Sequence, residues 1–150
     1  FLKLSPPLRL EEDRISLVKG IKENLIDVIV SDHIPEDEES KRLPFAQAAT
    51  GAIGIETLLP LALEMHHNDS LPLNKIIETL TINPAKILQI NKGTLKKGSD
   101  GDICIIDLDA PWVVKAENLK SKSKNTAIEG RKLQGKILMT FLNGELVFNQ

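Results

Sequence analysis

Ile26-Asp27-Val28-Ile29-Val30-Ser31-Asp32-His33 is the stretch on which the reading of this chain turns. Four of its first five residues are β-branched and apolar, the composition of a strand buried on both faces of a parallel sheet, and a polar trio follows at once. Upstream, Ile15, Leu17, Val18 and Ile21 recur at helical spacing behind the acidic first turn Glu11-Glu12-Asp13, which predicts a helix of about 12 to 14 residues. Phe1 to Leu4 reads as the tail of an earlier strand stopped by Pro6-Pro7. Strand, helix, strand makes one βαβ unit, with polar residues gathered at a strand's carboxyl end.

Downstream of the trio comes a polar loop through Pro35 and Glu36-Asp37-Glu38-Glu39, ending near Pro44-Phe45. Lys41 and Arg42 bracket the acids without the ligand alternation of a calcium loop, so a solvated lid is expected there. Gly51 and Gly54 open a helical stretch from Ile55 to Met65, and Leu73, Ile76, Ile77 and Leu80 mark another amphipathic helix. Asn83-Pro84 reads as an N-cap and first-turn proline for a short helix ending near Ile90. From Asn91 to Gly101 the texture turns to Gly, Lys, Ser and Asp. Beyond it Ile103 to Ile106 and Trp112 to Val114 read as strands, and Asn143-Gly144 joins residues 137–142 to 145–148 as a hairpin. The expected division is therefore residues 1–91 as α/β and 92–150 as a β-rich module.

With 150 residues and 41% hydrophobic content the chain has material for a core, and disorder is not expected. Nineteen basic against 21 acidic residues give a net charge of −2, which offers no global field for nucleic acid or an anionic membrane. Residues 115–136 nevertheless hold seven basic groups against two acidic ones. Without interleaved aromatics that segment does not read as a nucleic-acid surface, but it is a possible docking surface. The lone cysteine, Cys104, excludes an internal disulfide, is expected to be buried in its apolar run, and fits a reducing, cytoplasmic setting. No apolar run approaches the roughly 18 residues of a membrane span. Phe1 with no Met before it suggests a piece of a longer protein.

Among single residues Asp32 stands out, because α/β barrels place their active-site groups at the carboxyl ends of their strands. A carboxylate there can ligate a metal and also shuttle a proton; the alternative is an Asp capping the next turn. His33, pointing the opposite way, is expected to support the site from behind rather than to bind metal. His66-His67, at the end of a helix, are expected to be structural.

Taken in order, Ser5-Pro6-Pro7-Leu8-Arg9, Ser31-Asp32-His33-x-Pro35, Pro44-Phe45-x-x-Ala48, Gly51-x-x-Gly54-Ile55-Glu56-Thr57, Asn83-Pro84-Ala85 and Ser123-Lys124-Asn125-Thr126 resemble the C-terminal part of the dihydroorotases of the amidohydrolase superfamily. The resemblance runs the length of the chain, yet covers only the last third or so of such a protein. It implies a metal-bearing (β/α)₈ barrel of the TIM type, with the last barrel strands in residues 1–91 and a share of a small β-sandwich in 92–150. It implies that Asp32 binds zinc and relays a proton from the attacking water to the departing amide nitrogen. By the same resemblance Thr50 and Gly51 contact the pyrimidine ring through their backbone. Ser5 stands where dihydroorotases usually carry asparagine, and is what hydantoinases and dihydropyrimidinases carry. Glu36 stands where a histidine commonly holds the substrate's carboxylate; a glutamate there must turn away, or be answered by a neighbour such as Arg42.

The expected activity is the zinc-dependent, reversible cyclisation of N-carbamoyl-L-aspartate to L-dihydroorotate in pyrimidine biosynthesis. The alternatives are a catalytically silent scaffold subunit, for example for aspartate transcarbamoylase, and a hydantoinase-type cyclic amidase. The remaining zinc ligands belong to an N-terminal part that these residues do not include, so the piece alone should be inactive. It should pair with that part or self-associate, and a homo-oligomer is expected of the whole.

Overall fold

A computed structural model describes residues 1–150. Five helices precede a three-stranded sheet: α1 (Glu11–Lys22), α2 (Glu38–Arg42), α3 (Leu58–His67), α4 (Leu73–Leu80) and α5 (Ile82–Ile87), then β1 (Ile103–Val113), β2 (Lys132–Leu142) and β3 (Glu145–Asn149). No helix is long and apolar enough to cross a membrane.

The helix α1 begins where its acidic first turn placed it, and the Leu10 N–H donates to Asp13 Oδ2 at 3.1 Å to close the entry. Val18 and Ile21 turn inward, joining Ala62, Leu71 and Ile76 in one apolar cluster. A second cluster, of Ile53, Val114, Leu119 and Leu133, lies between the 51–54 segment and the sheet. The loop expected over 36–39 is partly helical: Asp37 caps α2 by accepting from the Glu39 and Ser40 N–H groups.

The sheet is antiparallel, in the order β1-β2-β3. The two short strands expected over Ile103–Ile106 and Trp112–Val114 form one strand, β1, with an irregular register between Asp107 and Pro111. There Asp107 Oδ1 accepts from the Asp109 and Ala110 N–H groups, a side-chain turn inside the strand that interrupts its pairing with β2. The hairpin forms as expected, with Asn143 at φ 52° and Gly144 at φ 83°.

Three expectations need correction. Phe1 to Leu4 and Ile26 to Val30 are extended but belong to no sheet; the only parallel pairings nearby are the single bridges His33–Ala52 and Ile53–Thr126. A strand needs an in-register neighbour, and what Ile29 N–H meets instead is the Thr79 carbonyl, in the last turn of α4. Asn83 lies inside α5 rather than capping it, and its amide donates to the Asp27 carbonyl at 2.9 Å, tying α5 to the extended segment. Cys104 is exposed together with its neighbours Ile103 and Ile105, at the open end of β1. The basic 115–136 segment meets the body through Arg131, which pairs with Glu64, and through the Lys120 and Ser121 N–H groups, which donate to Glu56, while Lys115, Lys120, Lys122 and Lys132 stay exposed.

A self-contained monomer of 16.6 kDa exposes about 7,600 Å², whereas this chain exposes 10280 Å². The excess is apolar and patterned. Ile15 and Leu17 on α1, and Ile103, Ile105, Ile137 and Phe148 on the sheet, all lie in the open.

Candidate active site

Asp32 ends the extended 26–30 segment with φ at 43°, a left-handed turn that redirects the chain and leaves the side chain exposed at a cavity of 590 Å³. Asparagine and aspartate are the non-glycine residues most often found in that conformation. Ser5, Leu4 and Ile34 line the same cavity, and Gly51 and Gly54 complete its other side. Three of the five expected site residues, Ser5, Asp32 and Gly51, are thus brought to one hollow. Thr50 and Glu36 are not on its wall. The Asp that caps a turn is Asp37, not Asp32.

His33, next in the chain, faces the other way as expected. Its Nδ1 accepts from Gly54 N–H at 3.1 Å and Ile55 N–H at 3.4 Å, so it buttresses the glycine segment opposite Asp32. His66 and His67 end α3 and do not line the cavity at Asp32, and both ring nitrogens of His67 lack a hydrogen-bond partner, with Asp109 Oδ1 3.8 Å from Nε2. A hollow of 660 Å³ beside His67, lined also by Glu64, Trp112 and Arg131, contains none of the five residues.

The wall carrying Gly51 is fastened from behind. Gly51 N–H donates to the Lys3 carbonyl at 3.0 Å, while its carbonyl accepts from Lys41 Nζ at 2.7 Å and Asn125 Nδ2 at 3.3 Å. Asn125 also donates to the Ile34 carbonyl, and its Oδ1 accepts from Glu36 N–H and from Ser123 Oγ. At φ 134° Gly51 adopts a backbone few other residues accept, and a Cβ there would sit 2.5 Å from Ile34 Cγ2.

Glu36 does not confront the cavity. Its main chain is held by Asn125 and Ser123, and its carboxylate favours the charged form of Lys41. Burial pushes the Lys41 ammonium below the ordinary lysine range, Glu36 pulls it back up, and Lys3 adds to the depression. Arg42, named in the sequence reading as the residue to answer Glu36, pairs with Glu38 instead.

Two participants escaped the sequence reading. Lys41 looked like a solvated bracket of the acid run, yet it is 5% exposed. Asn125 belonged to a quoted motif but had no assigned task. The spacing of a buried lysine's acceptors across 48 positions of chain leaves no local trace.

No group of three or more His, Cys, Asp or Glu side chains converges in this chain. These residues alone do not make up a metal's donor set.

Residues 4–147 match the profile of the amidohydrolase family. The chain is 44% identical over 146 residues to a dihydroorotase of Ehrlichia chaffeensis (strain ATCC CRL-10679 / Arkansas), covering 97% of this chain and 33% of that protein. It is 42% identical over 146 residues to a dihydroorotase of Aquifex aeolicus (strain VF5), covering 97% and 34%. Among solved structures, the L-hydantoinase (dihydropyrimidinase) of Arthrobacter aurescens superposes with a TM-score of 0.88 at 36% identity, over 98% of this chain and 34% of that one. The chain spans about a third of the length of the curated relatives it matches. Family and neighbours imply a fold of the TIM-barrel type, of which these residues are an α/β piece carrying a three-stranded sheet. On the match over residues 4–147, this chain belongs to the amidohydrolase family.

Proposed function

We propose that the whole protein is a dihydroorotase, closing N-carbamoyl-L-aspartate to L-dihydroorotate and reopening it, as a cytoplasmic step of pyrimidine biosynthesis. The observation that carries this is the meeting of Ser5, Asp32 and Gly51 at one cavity, in a chain 44% identical to a dihydroorotase. In this reading residues 1–91 end the barrel and 92–150 form their share of a β-sandwich, whose other face the exposed apolar side of the sheet awaits.

Opening a cyclic amide near neutral pH needs an activated water, a polarised carbonyl and a proton for the leaving nitrogen. Zinc, when bound, supplies the first two, with Asp32 as one of its ligands. Asp32 then takes the water's proton on its carboxylate and returns it to the ring nitrogen as the bond breaks. The Thr50-Gly51 backbone, of which Gly51 reaches the cavity, orients the flat ring, and Ser5 lines the same cavity. Since Glu36 is not on the cavity wall, its carboxylate is not set against the substrate's there. Homo-oligomerisation, or association with aspartate transcarbamoylase, fits the apolar surface left open on α1 and the sheet.

A hydantoinase-type amidase is the second reading, favoured by Ser5 and by the likeness to the L-hydantoinase. It keeps the mechanism and changes the ring. Assaying the full-length, zinc-loaded protein on dihydroorotate, dihydrouracil and hydantoin separates the two. Selective turnover of dihydroorotate supports the first reading, preference for the other rings the second, and no turnover at all favours a silent scaffold.

A further inference from the structure

We propose that Lys41 is a positioning residue, whose ammonium group holds the Thr50-Gly51 backbone in the shape that meets the ring. The proposal rests on the cyclic-amidase reading above.

Lysine is among the residues least often buried, and a buried cation is costly unless its donors are answered. At 5% exposure, Lys41 is answered in full: Nζ donates to the carbonyls of Gly51 at 2.7 Å, Ala49 at 2.9 Å and Lys3 at 3.0 Å. An ammonium has three donors, and the geometry uses all three; a neutral amine would leave one carbonyl unmet. The Lys3 carbonyl also accepts from Gly51 N–H, so both polar groups of Gly51 are bound to the Lys3–Lys41 node. Lys3 extends the grip, its own Nζ reaching the Ala46 and Ala48 carbonyls at 3.1 and 2.8 Å. Carbonyls 46, 48, 49 and 51 are thereby pinned by two cations from separate segments.

The cation faces Glu36 and Lys3 as its charged neighbours. It does not line the cavity and touches no group at the reacting centre. Its effect on the substrate therefore passes through the peptide it holds. A ring contacted through backbone atoms is positioned only as well as that backbone is fixed. Loosening it should weaken binding more than it slows the proton transfer at Asp32, which stands on a different segment.

The test is made on the full-length, zinc-loaded protein with Lys41→Met, Lys41→Gln and Lys41→Arg, measuring kcat and KM for dihydroorotate together with hydrogen exchange across residues 46–54. Lys41→Met should raise KM roughly tenfold or more while kcat falls less than about threefold. It should speed exchange at Gly51 and leave α4 protected, and Lys41→Arg should restore part of the KM. If Lys41→Met does not fold, Lys41→Gln is read in its place, with the same KM rise expected because its amide can serve only part of the fan. A soluble variant with wild-type KM and wild-type exchange at Gly51 overturns the proposal, as does a loss of thermal stability with KM unchanged. Should the wild-type protein fail to turn over any cyclic amide, the functional reading falls. The exchange experiment then still decides whether Lys41 holds the loop.

Discussion

Asn125 and Gly51 lie 74 positions apart in the chain, yet Asn125 Nδ2 donates to the Gly51 carbonyl with both residues buried. This side chain joins the segment after the α/β part to the cavity wall, which Ala127, Ile128 and Arg131 of that segment also line. Asn125 is 1% exposed and binds Ile34, Gly51, Glu36 and Ser123 at once. Replacing it by alanine in the full-length protein strands the Glu36 N–H and weakens the support of two carbonyls. The expected cost is about 3 kcal/mol, read as a lowered midpoint in denaturant unfolding. An unchanged midpoint would show that water replaces the amide without penalty.

Gly51→Ala adds a Cβ 2.5 Å from Ile34 Cγ2 and 2.7 Å from Ile34 Cβ, at a φ of 134°. A branched side chain cannot swing clear of that contact, so the 49–52 backbone must move. Stability should fall by about 1 to 3 kcal/mol and KM for the cyclic amide should rise. Wild-type melting and KM together would mean that the position tolerates a side chain.

The hairpin end should lose stability on the acid side. Asn143 N–H donates to Asp102, and Lys92 pairs with Asp102 and Asp100; these hold the Asp102 carboxyl below its ordinary 3.8. A carboxyl lowered on folding contributes stability that is fully present above that ordinary value and is lost as pH falls through it toward the folded value. Asp102→Asn should therefore flatten the fall in melting temperature as the pH drops below about 4, as followed by circular dichroism at about half-unit steps. An unaltered slope would assign the acid sensitivity to other groups.

Residues 1–150 expressed alone should self-associate or bind a hydrophobic dye, because 10280 Å² of surface is more than a closed globule of this mass leaves open. Size-exclusion chromatography with light scattering provides the check. A compact, monodisperse monomer without dye binding contradicts it.

What could be read from sequence followed from how local each signal is. The acidic turn before α1, the Asn143-Gly144 turn and the amphipathic pattern of Leu73–Leu80 are complete within a few residues, and each element formed as expected. Ile26–Val30 carried a strand's composition, but a strand exists only with a neighbour, and among these residues none is in register beside it. Asp32 stands out in the sequence because a polar trio ending an apolar run is a local contrast, and the fold sets it at a cavity with Ser5 and Gly51. Lys41 was misread because its burial depends on carbonyls contributed by Lys3 and the 49–51 loop, which only the folded chain assembles. Cys104 was misplaced for the converse reason: apolar neighbours in sequence predict burial only where something covers their face.

Asp32→Asn provides the most direct test, since asparagine keeps the shape and tolerates the left-handed backbone of Asp32 while it can no longer accept and return a proton. In the full-length, zinc-loaded protein the account predicts dihydroorotate turnover by the wild type and a fall in kcat of about a thousandfold or more in the variant, with an unchanged melting temperature. A variant that retains wild-type turnover would contradict it.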